Sequence, residues 1–135
     1  MAQYRFPPNS PIITVFTRIE GKNNTIRRPR LAVDTGATYC MIPWELANAL
    51  MLEPHISHEK ISITTASGIV EAPLVTLPSV DVFGSKATNI KAVVHDLPTQ
   101  SCVDGLLGLS FLKNFKVILD FKNGLLEIVS YPATI

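Results

Sequence analysis

The chain has 135 residues, of which 47% are hydrophobic and 17% charged, with a formal net charge of +1. This composition predicts one globular domain with a real hydrophobic core, and it gives no electrostatic argument for a nucleic acid or an anionic membrane as partner. No apolar run approaches the roughly 20 residues that span a bilayer, and the N-terminus has no apolar signal core, so we expect a cytoplasmic protein.

The N-terminal part of the chain predicts an extended arm followed by a β-hairpin. Residues 1–10 are predicted to be the arm because their prolines preclude a helix. The domain itself is predicted over residues 11–129, with a C-terminal tail at 130–135. Pro11–Ile19 is rich in β-branched residues and predicts a strand, and Ile26–Val33 predicts a second strand that returns from the turn.

Four basic side chains crowd this hairpin. They could mark a nucleic-acid patch, but no aromatic residues are interleaved among them, so a solvated hairpin is the favoured interpretation. The four residues are Lys22, Arg27, Arg28 and Arg30.

The middle of the chain predicts a strand, a short helix and a long hairpin. Thr38–Ile42 is a short apolar strand, and Pro43 is well suited to the first position of a helix that extends to Met51. Lys60–Thr65 and Ile69–Leu77 alternate like strands around a small tip, Ala66-Ser67-Gly68. Further strands are predicted at Ser79–Phe83, bracketed by Pro78 and Gly84, and at Ala87–His95.

The C-terminal part predicts a glycine-rich turn, a short helix and a final hairpin. Asp104–Gly108 is the turn, Leu109–Phe115 the helix, and Asn123-Gly124 joins the last two strands with a strong hairpin signal. The chain as a whole predicts a mainly-β domain with about nine strands and two short helices.

No cofactor or metal site is predicted. His55 and His58 lie three positions apart in a loop, but no nearby residue supplies a third ligand at a suitable spacing. Cys40 and Cys102 are the only cysteines, and we expect both to be buried free thiols in preference to a disulfide.

The candidate site centres on Asp34, which follows the apolar run Leu31–Val33 and precedes Thr35 and Gly36. One interpretation is an Asx-type turn at the end of a strand. The other is a carboxylate at the floor of an apolar cleft, where acid–base chemistry becomes possible. No G-x-S-x-G elbow or phosphate-binding loop offers a competing chemistry.

Hydrolysis by carboxylates needs two of them close together. A structural role is the favoured interpretation for every other aspartate in a loop or hairpin, so the second carboxylate is expected from Asp34 of an identical subunit across a two-fold axis. The sequence therefore predicts a homodimer. The other aspartates considered are Asp81, Asp96, Asp104 and Asp120.

The two motifs Asp34-Thr35-Gly36-Ala37 and Leu106-Leu107-Gly108, about 70 residues apart, resemble the signatures of retropepsin-like aspartic proteases. The resemblance implies a single-lobe closed β-barrel that dimerises and cleaves peptide bonds. It makes Asp34 the catalytic carboxylate, with Thr35 and Gly36 supporting the active-site loops. Ala37 resembles the retroviral variant and implies a less acidic pH optimum than that of pepsin-like enzymes.

The hairpin Ile63–Val70 resembles the flap that closes over a bound peptide, although its tip has one glycine where viral flaps have several. The helix Trp44–Met51 is an insertion relative to the smallest viral subunits, and the resemblance therefore points to the cellular branch of the family. The alternative function is a catalytically silent binding or assembly module with the same fold. The expected substrate-binding residues are Ala37, Thr65, Ala66, Ser67, Gly68, Ile69 and Leu107.

Overall fold

The computed structural model describes residues 2–132, which contain twelve strands, two α-helices and one short 3₁₀ helix and confirm the mainly-β prediction. The strands are β1 (Ala2–Arg5), β2 (Thr14–Phe16), β3 (Arg18–Glu20), β4 (Ile26–Arg27), β5 (Arg30–Val33), β6 (Cys40–Ile42), β7 (Lys60–Thr65), β8 (Gly68–Val82), β9 (Ser85–Val94), β10 (Gly105–Leu107), β11 (Phe115–Asp120) and β12 (Leu125–Ser130). The helices are α1 (Trp44–Ala49), α2 (Leu109–Leu112) and the 3₁₀ helix Pro54–Ile56.

The strands form two sheets that share one hydrophobic core. The larger, nine-stranded sheet has the order β2-β5-β10-β6-β9-β8-β3-β4, with β7 paired to β8, and it curls into a half-barrel. The smaller sheet has the order β1-β12-β11. Ile19 and Leu31 of the first sheet belong to the same buried cluster as Leu126 and Ile128 of the second. Within residues 2–132, no helix is long and apolar enough to cross a membrane.

The first hairpin differs from the prediction because each of its two strands is broken. Pro29 interrupts the return strand, since proline has no N–H for the ladder. Its carbonyl oxygen accepts hydrogen bonds from both the N–H and the Oγ1 of Thr17, at 3.0 Å each. The chain therefore changes partners here: β2 pairs with β5, whereas β3 pairs with β4 and with β8.

Pro78 was expected to separate two strands, and this expectation is wrong because β8 continues through it. The pairs Leu77↔Ile90 and Ser79↔Thr88 flank the proline on either side. The opposing residue, Asn89, adopts a positive φ of 56°, which asparagine tolerates better than most residues. The local distortion in β9 thus accommodates the missing N–H and lets the long strand continue.

The inserted strand β10 is the feature that positions the candidate site. The sequence predicted only a glycine-rich turn here, but Gly105–Leu107 lies between β5 and β6. It runs parallel to β5, with Gly105 opposite Leu31, and antiparallel to β6, with Leu106 opposite Met41. A Cβ on Gly105 would collide with the Met41 carbonyl oxygen, so glycine is required for the three strands to approach.

The N-terminal residues predicted as an arm include β1, which pairs with β12 of the same chain. Tyr4 stacks on Phe83 with ring centroids 5.1 Å apart, and the Phe6 N–H donates to the Gly124 carbonyl at 2.8 Å. The boundaries at 10/11 and 129/130 stay predictions. Of the predicted tail, Ser130 ends β12, and residues 133–135 lie outside the described residues.

Candidate active site

Asp34 is the first residue beyond β5, and its backbone prolongs the sheet. The Asp34 N–H donates to the Leu107 carbonyl of β10 at 3.0 Å. One residue earlier, the Val33 N–H donates to the Ile13 carbonyl at 2.8 Å. Strand β10 on one side and the residue before β2 on the other therefore fix the point at which the chain leaves the sheet, and Asp34 lies at that end.

The residues that follow Asp34 form a turn around its carboxylate. Asp34 Oδ1 accepts a hydrogen bond from the Gly36 N–H at 2.9 Å, and the Asp34 carbonyl accepts from the Ala37 N–H at 3.2 Å. This is the local side-chain-to-backbone bonding that favours aspartate in turns. The turn interpretation and the site interpretation of Asp34-Thr35-Gly36 are thus compatible, because the turn is what orients the carboxylate.

The residues that follow the second motif, Leu106-Leu107-Gly108, form backbone hydrogen bonds to this turn. The Leu109 N–H donates to the Ala37 carbonyl at 2.8 Å, and the Ser110 N–H donates to the Thr38 carbonyl at 3.0 Å. Gly108 leaves no room for a side chain, because a Cβ there would lie 2.8 Å from the Ala37 oxygen and closer still to the Tyr39 oxygen. The Asp34–Ala37 loop and the start of α2 therefore pack backbone against backbone.

A buried thiol and a hydroxyl complete the support. Ser110 Oγ accepts from the Cys40 N–H at 2.9 Å and donates to the Lys91 carbonyl at 2.8 Å, which links α2 to β6 and β9. Cys40 Sγ accepts from the Gly108 N–H at 3.4 Å. Burial raises the pKa of the Cys40 thiol. Cys102 is exposed, so the expectation that both cysteines are buried is wrong for this one; both are free thiols.

Asp34 opens into an apolar cavity of about 390 Å³. Among the described residues that line it, Asp34 is the only one with an ionisable side chain. No salt bridge to Asp34 is formed within residues 2–132. The other lining residues are Phe6, Pro8, Ser10, Pro11, Ile12, Ile13, Ala32, Val33, Leu106 and Phe121.

The other four aspartates are engaged elsewhere. Asp81 accepts from the Gly84 N–H, and Asp120 from the Asn123 N–H, each within its own turn. Asp104 Oδ2 accepts from the Arg30 N–H at 2.8 Å, at the opposite end of β5. Asp96 Oδ1 accepts from the Trp44 N–H at the start of α1 at 3.0 Å. None of them lines the Asp34 cavity as the described residues define it.

The hairpin of β7 and β8 has the strands predicted for the flap, and its tip is closed by a hydroxyl. Thr65 Oγ1 donates to the Gly68 carbonyl at 2.9 Å and accepts from the Ser67 N–H at 3.2 Å. Gly68 has a φ of 120°, a conformation that side chains rarely allow. One glycine is therefore sufficient at this tip, because Thr65 supplies the closing hydrogen bonds.

A second cavity, of about 560 Å³, lies beside this hairpin and is called the flap cavity below. Leu106 lines both the flap cavity and the Asp34 cavity, so the two cavities share this residue. The residues that line the flap cavity are Met41, Ile63, Thr64, Thr65, Ala66, Ser67, Val70, His95, Asp96, Leu97, Pro98 and Leu106.

The structure brings some of the predicted substrate-binding residues to these cavities and not others. Thr65, Ala66 and Ser67 line the flap cavity, whereas Gly68, Ile69, Ala37 and Leu107 line neither. Ile69 is 75% exposed, and Leu107 is fully buried in the core. Their sequence neighbours Val70 and Leu106 line the flap cavity instead, because successive strand residues point to opposite faces.

The sequence analysis also missed His95 and Asp96 as cavity residues. In the sequence, the two residues stand at the end of a predicted strand. That position does not predict which cavity the following loop will line. The substrate-binding roles remain predictions, and the placement favours Leu106 over Leu107 and Val70 over Ile69.

The inserted β10, the carboxylate-bearing turn and the hairpin of β7 and β8 match the single lobe of a retropepsin-like aspartic protease. The chain belongs to the family described as "gag-polyprotein putative aspartyl protease", whose match covers residues 19–114. The predicted fold class and family resemblance are confirmed.

A solved structure gives the same result. The crystal structure of a retropepsin-like aspartic protease from Rickettsia conorii superposes with a TM-score of 0.69 at 27% sequence identity. The match covers 96% of this chain and 99% of that chain. No curated protein matched the sequence.

Proposed function

We propose that the protein is an aspartic endopeptidase that acts as a homodimer, with Asp34 of each subunit forming the catalytic dyad. One observation carries the proposal: among the described residues that line its cavity, Asp34 is the only ionisable one, and it lies on a loop fixed by the Leu107 carbonyl and the Leu109 N–H. Such a loop positions one carboxylate rigidly, but general acid and base roles require two. A second copy of the chain supplies the other.

The dyad would hold one proton between its two carboxyl groups, because two like charges about 3 Å apart cannot both persist. The ionised member accepts a proton from the attacking water, and the protonated member polarises the scissile carbonyl. The Gly36 N–H, bonded to Asp34 Oδ1, fixes the rotation of the carboxylate. Thr35 and Gly36 are exposed in the single chain, which leaves them accessible to the partner loop.

The substrate would be an extended peptide held between the Asp34 cavity and the hairpin tip. Cavities of about 300–1,000 Å³ are typical of ligand sites, and both cavities fall in this range. An extended peptide can satisfy its backbone groups against strand edges while its side chains enter alternate pockets. Location in the cytoplasm and the absence of nucleic-acid and membrane partners remain expectations from composition.

The test compares the wild type with Asp34→Asn, Asp34→Ala and the control Asp104→Asn. Asp104 also accepts a backbone N–H at the end of β5, so the control removes one carboxylate charge away from the Asp34 cavity. Cleavage of a denatured protein mixture is measured between about pH 3 and pH 8. We expect both Asp34 variants to lose at least about 10³-fold in activity and Asp104→Asn to retain it.

Activity that survives in Asp34→Ala would overturn the catalytic assignment. A wild type that sediments as a dimer and cleaves nothing across this pH range would support the silent binding or assembly module.

Mixing experiments test the shared dyad. An equal amount of Asp34→Asn is added to a fixed amount of wild type and the subunits are allowed to exchange. Random pairing leaves about half of the original active dimers, so activity should fall to about half. A self-sufficient subunit would show no loss, and that result would contradict the dyad.

A further inference from the structure

The lining of the flap cavity includes an acidic residue, which the recognition of an apolar peptide side chain does not require. Its lining is mainly apolar, formed by Met41, Ile63, Val70 and Leu106 among others, yet it also includes Asp96, an exposed acidic residue. A cavity of about 560 Å³ accommodates the largest amino-acid side chains. Because Leu106 also borders the Asp34 cavity, a peptide side chain placed here belongs to a residue close to the bond being cleaved.

Asp96 is the carboxylate in question, and its position is fixed by structure outside the flap. Its Oδ1 accepts from the Trp44 N–H at 3.0 Å, and the preceding His95 N–H donates to the Ile42 carbonyl at 3.0 Å. The loop after β9 is therefore held against β6 and α1. A fixed carboxylate loses little conformational freedom when it binds a cation.

No cation neutralises Asp96 within the described part of the chain. The two salt bridges there join Arg18 to Glu20 and Lys91 to Glu59. Of the described residues that line the flap cavity, His95 is the only other ionisable one. The polar side chains that the hairpin contributes to the lining are hydroxyls, and the Thr65 hydroxyl is already bonded within the tip.

We propose that the flap cavity selects a long basic side chain of the substrate and that Asp96 is the residue that selects the charge. The aliphatic stem of an arginine or lysine packs along the apolar wall, and its cationic end reaches the carboxylate. This inference rests on the proposed peptidase function and adds the class of substrate that the site prefers. Asp96 is thereby a specificity-determining residue and takes no part in the proton transfers.

The first experiment identifies cleavage sites in a peptide library by mass spectrometry, for wild type, Asp96→Asn, Asp104→Asn and His95→Gln. Asp96→Asn removes the charge but keeps an oxygen to accept the Trp44 N–H, so α1 keeps its support. We expect arginine and lysine to be enriched at one fixed position relative to the cut bond in the wild type. The enrichment should persist in Asp104→Asn and His95→Gln and disappear in Asp96→Asn.

The second experiment uses two peptides that differ only at that position, one with arginine and the other with its neutral isostere citrulline. We expect a kcat/KM ratio of about 10 in favour of arginine for the wild type, falling to within about twofold for Asp96→Asn. Asp34-dependent cleavage with no basic preference, or a preference unchanged in Asp96→Asn, overturns the specificity proposal alone. The absence of Asp34-dependent cleavage overturns the peptidase function and this proposal with it.

Discussion

Gly108→Ala tests whether the second motif acts by holding the Asp34 loop. The new Cβ would lie 2.8 Å from the Ala37 carbonyl oxygen, whereas ordinary van der Waals contact begins at 3.4 Å. The Ala37 carbonyl must therefore move by about 0.6 Å, and the Tyr39 carbonyl, which the new Cβ would approach more closely still, by more. The Ala37 carbonyl accepts the Leu109 N–H that anchors the loop. Overpacking of this kind costs about 1–3 kcal/mol of stability. If the Asp34 loop is catalytic as proposed, a displacement of this size should lower kcat/KM between about 10-fold and 100-fold.

The assay measures kcat/KM and urea unfolding for wild type, Gly108→Ala and the control Gly84→Ala. Gly84 has a φ of 92°, and a methyl group at its Cα would meet no atom within 4 Å beyond its chain neighbours. Alanine there costs about 1–2 kcal/mol through backbone strain alone. Both variants should lose comparable stability, but only Gly108→Ala should lose activity. A Gly108→Ala protein with normal kcat/KM, or an equal loss in Gly84→Ala, would refute the reasoning.

Three further predictions concern the thiols, an unpaired hydroxyl and the core. Iodoacetamide should modify Cys102 in the native protein and reach Cys40 only after unfolding, as peptide mapping would show. Burial raises the pKa of Cys40, so above pH about 8.5 the unfolded chain binds fewer protons than the folded chain. The free energy of unfolding should therefore fall as the pH rises above this value. Cys40→Ala should reduce this pH dependence, as denaturation curves at several pH values would show. Ser79 Oγ is buried with no hydrogen-bond partner within residues 2–132. Ser79→Ala should therefore leave the free energy of unfolding unchanged or raise it by up to about 1 kcal/mol in urea titrations. The control Thr17→Val removes a hydroxyl that does have a partner, and it should lower the free energy of unfolding. Leu107→Ala should cost about 2–5 kcal/mol by the same measurement, and a smaller loss would contradict its place in the core.

Local chemistry made much of the site predictable from sequence. Aspartate, threonine and glycine after an apolar strand favour a turn, and the turn at Asp34 has the predicted bonding. The hairpin strands β7 and β8 followed from alternation and a small-residue tip.

The remaining features depend on contacts between distant residues. Asp96 lines the flap cavity on a loop that the Trp44 N–H, 52 positions away in sequence, helps to position. Whether Leu106 or Leu107 faces a cavity depends on the register of β10 against β5, which no local pattern specifies. The continuation of β8 through Pro78 likewise depends on the backbone of Asn89 in the opposing strand.

The insertion of β10 between β5 and β6 has a consequence for synthesis on the ribosome. The strands β5 and β10 that pair here are far apart in sequence. The hydrogen bond between Arg30 and Asp104, for example, joins residues 74 positions apart. A nascent chain exposes Asp34 long before it contains Leu107 or Leu109, whose backbone groups hold the loop. Contacts this non-local form slowly, since the intervening chain must first be ordered. The carboxylate therefore stays without its anchors until Leu107 and Leu109 have emerged, which would delay the proposed proteolytic activity until the β10–α2 segment has been made.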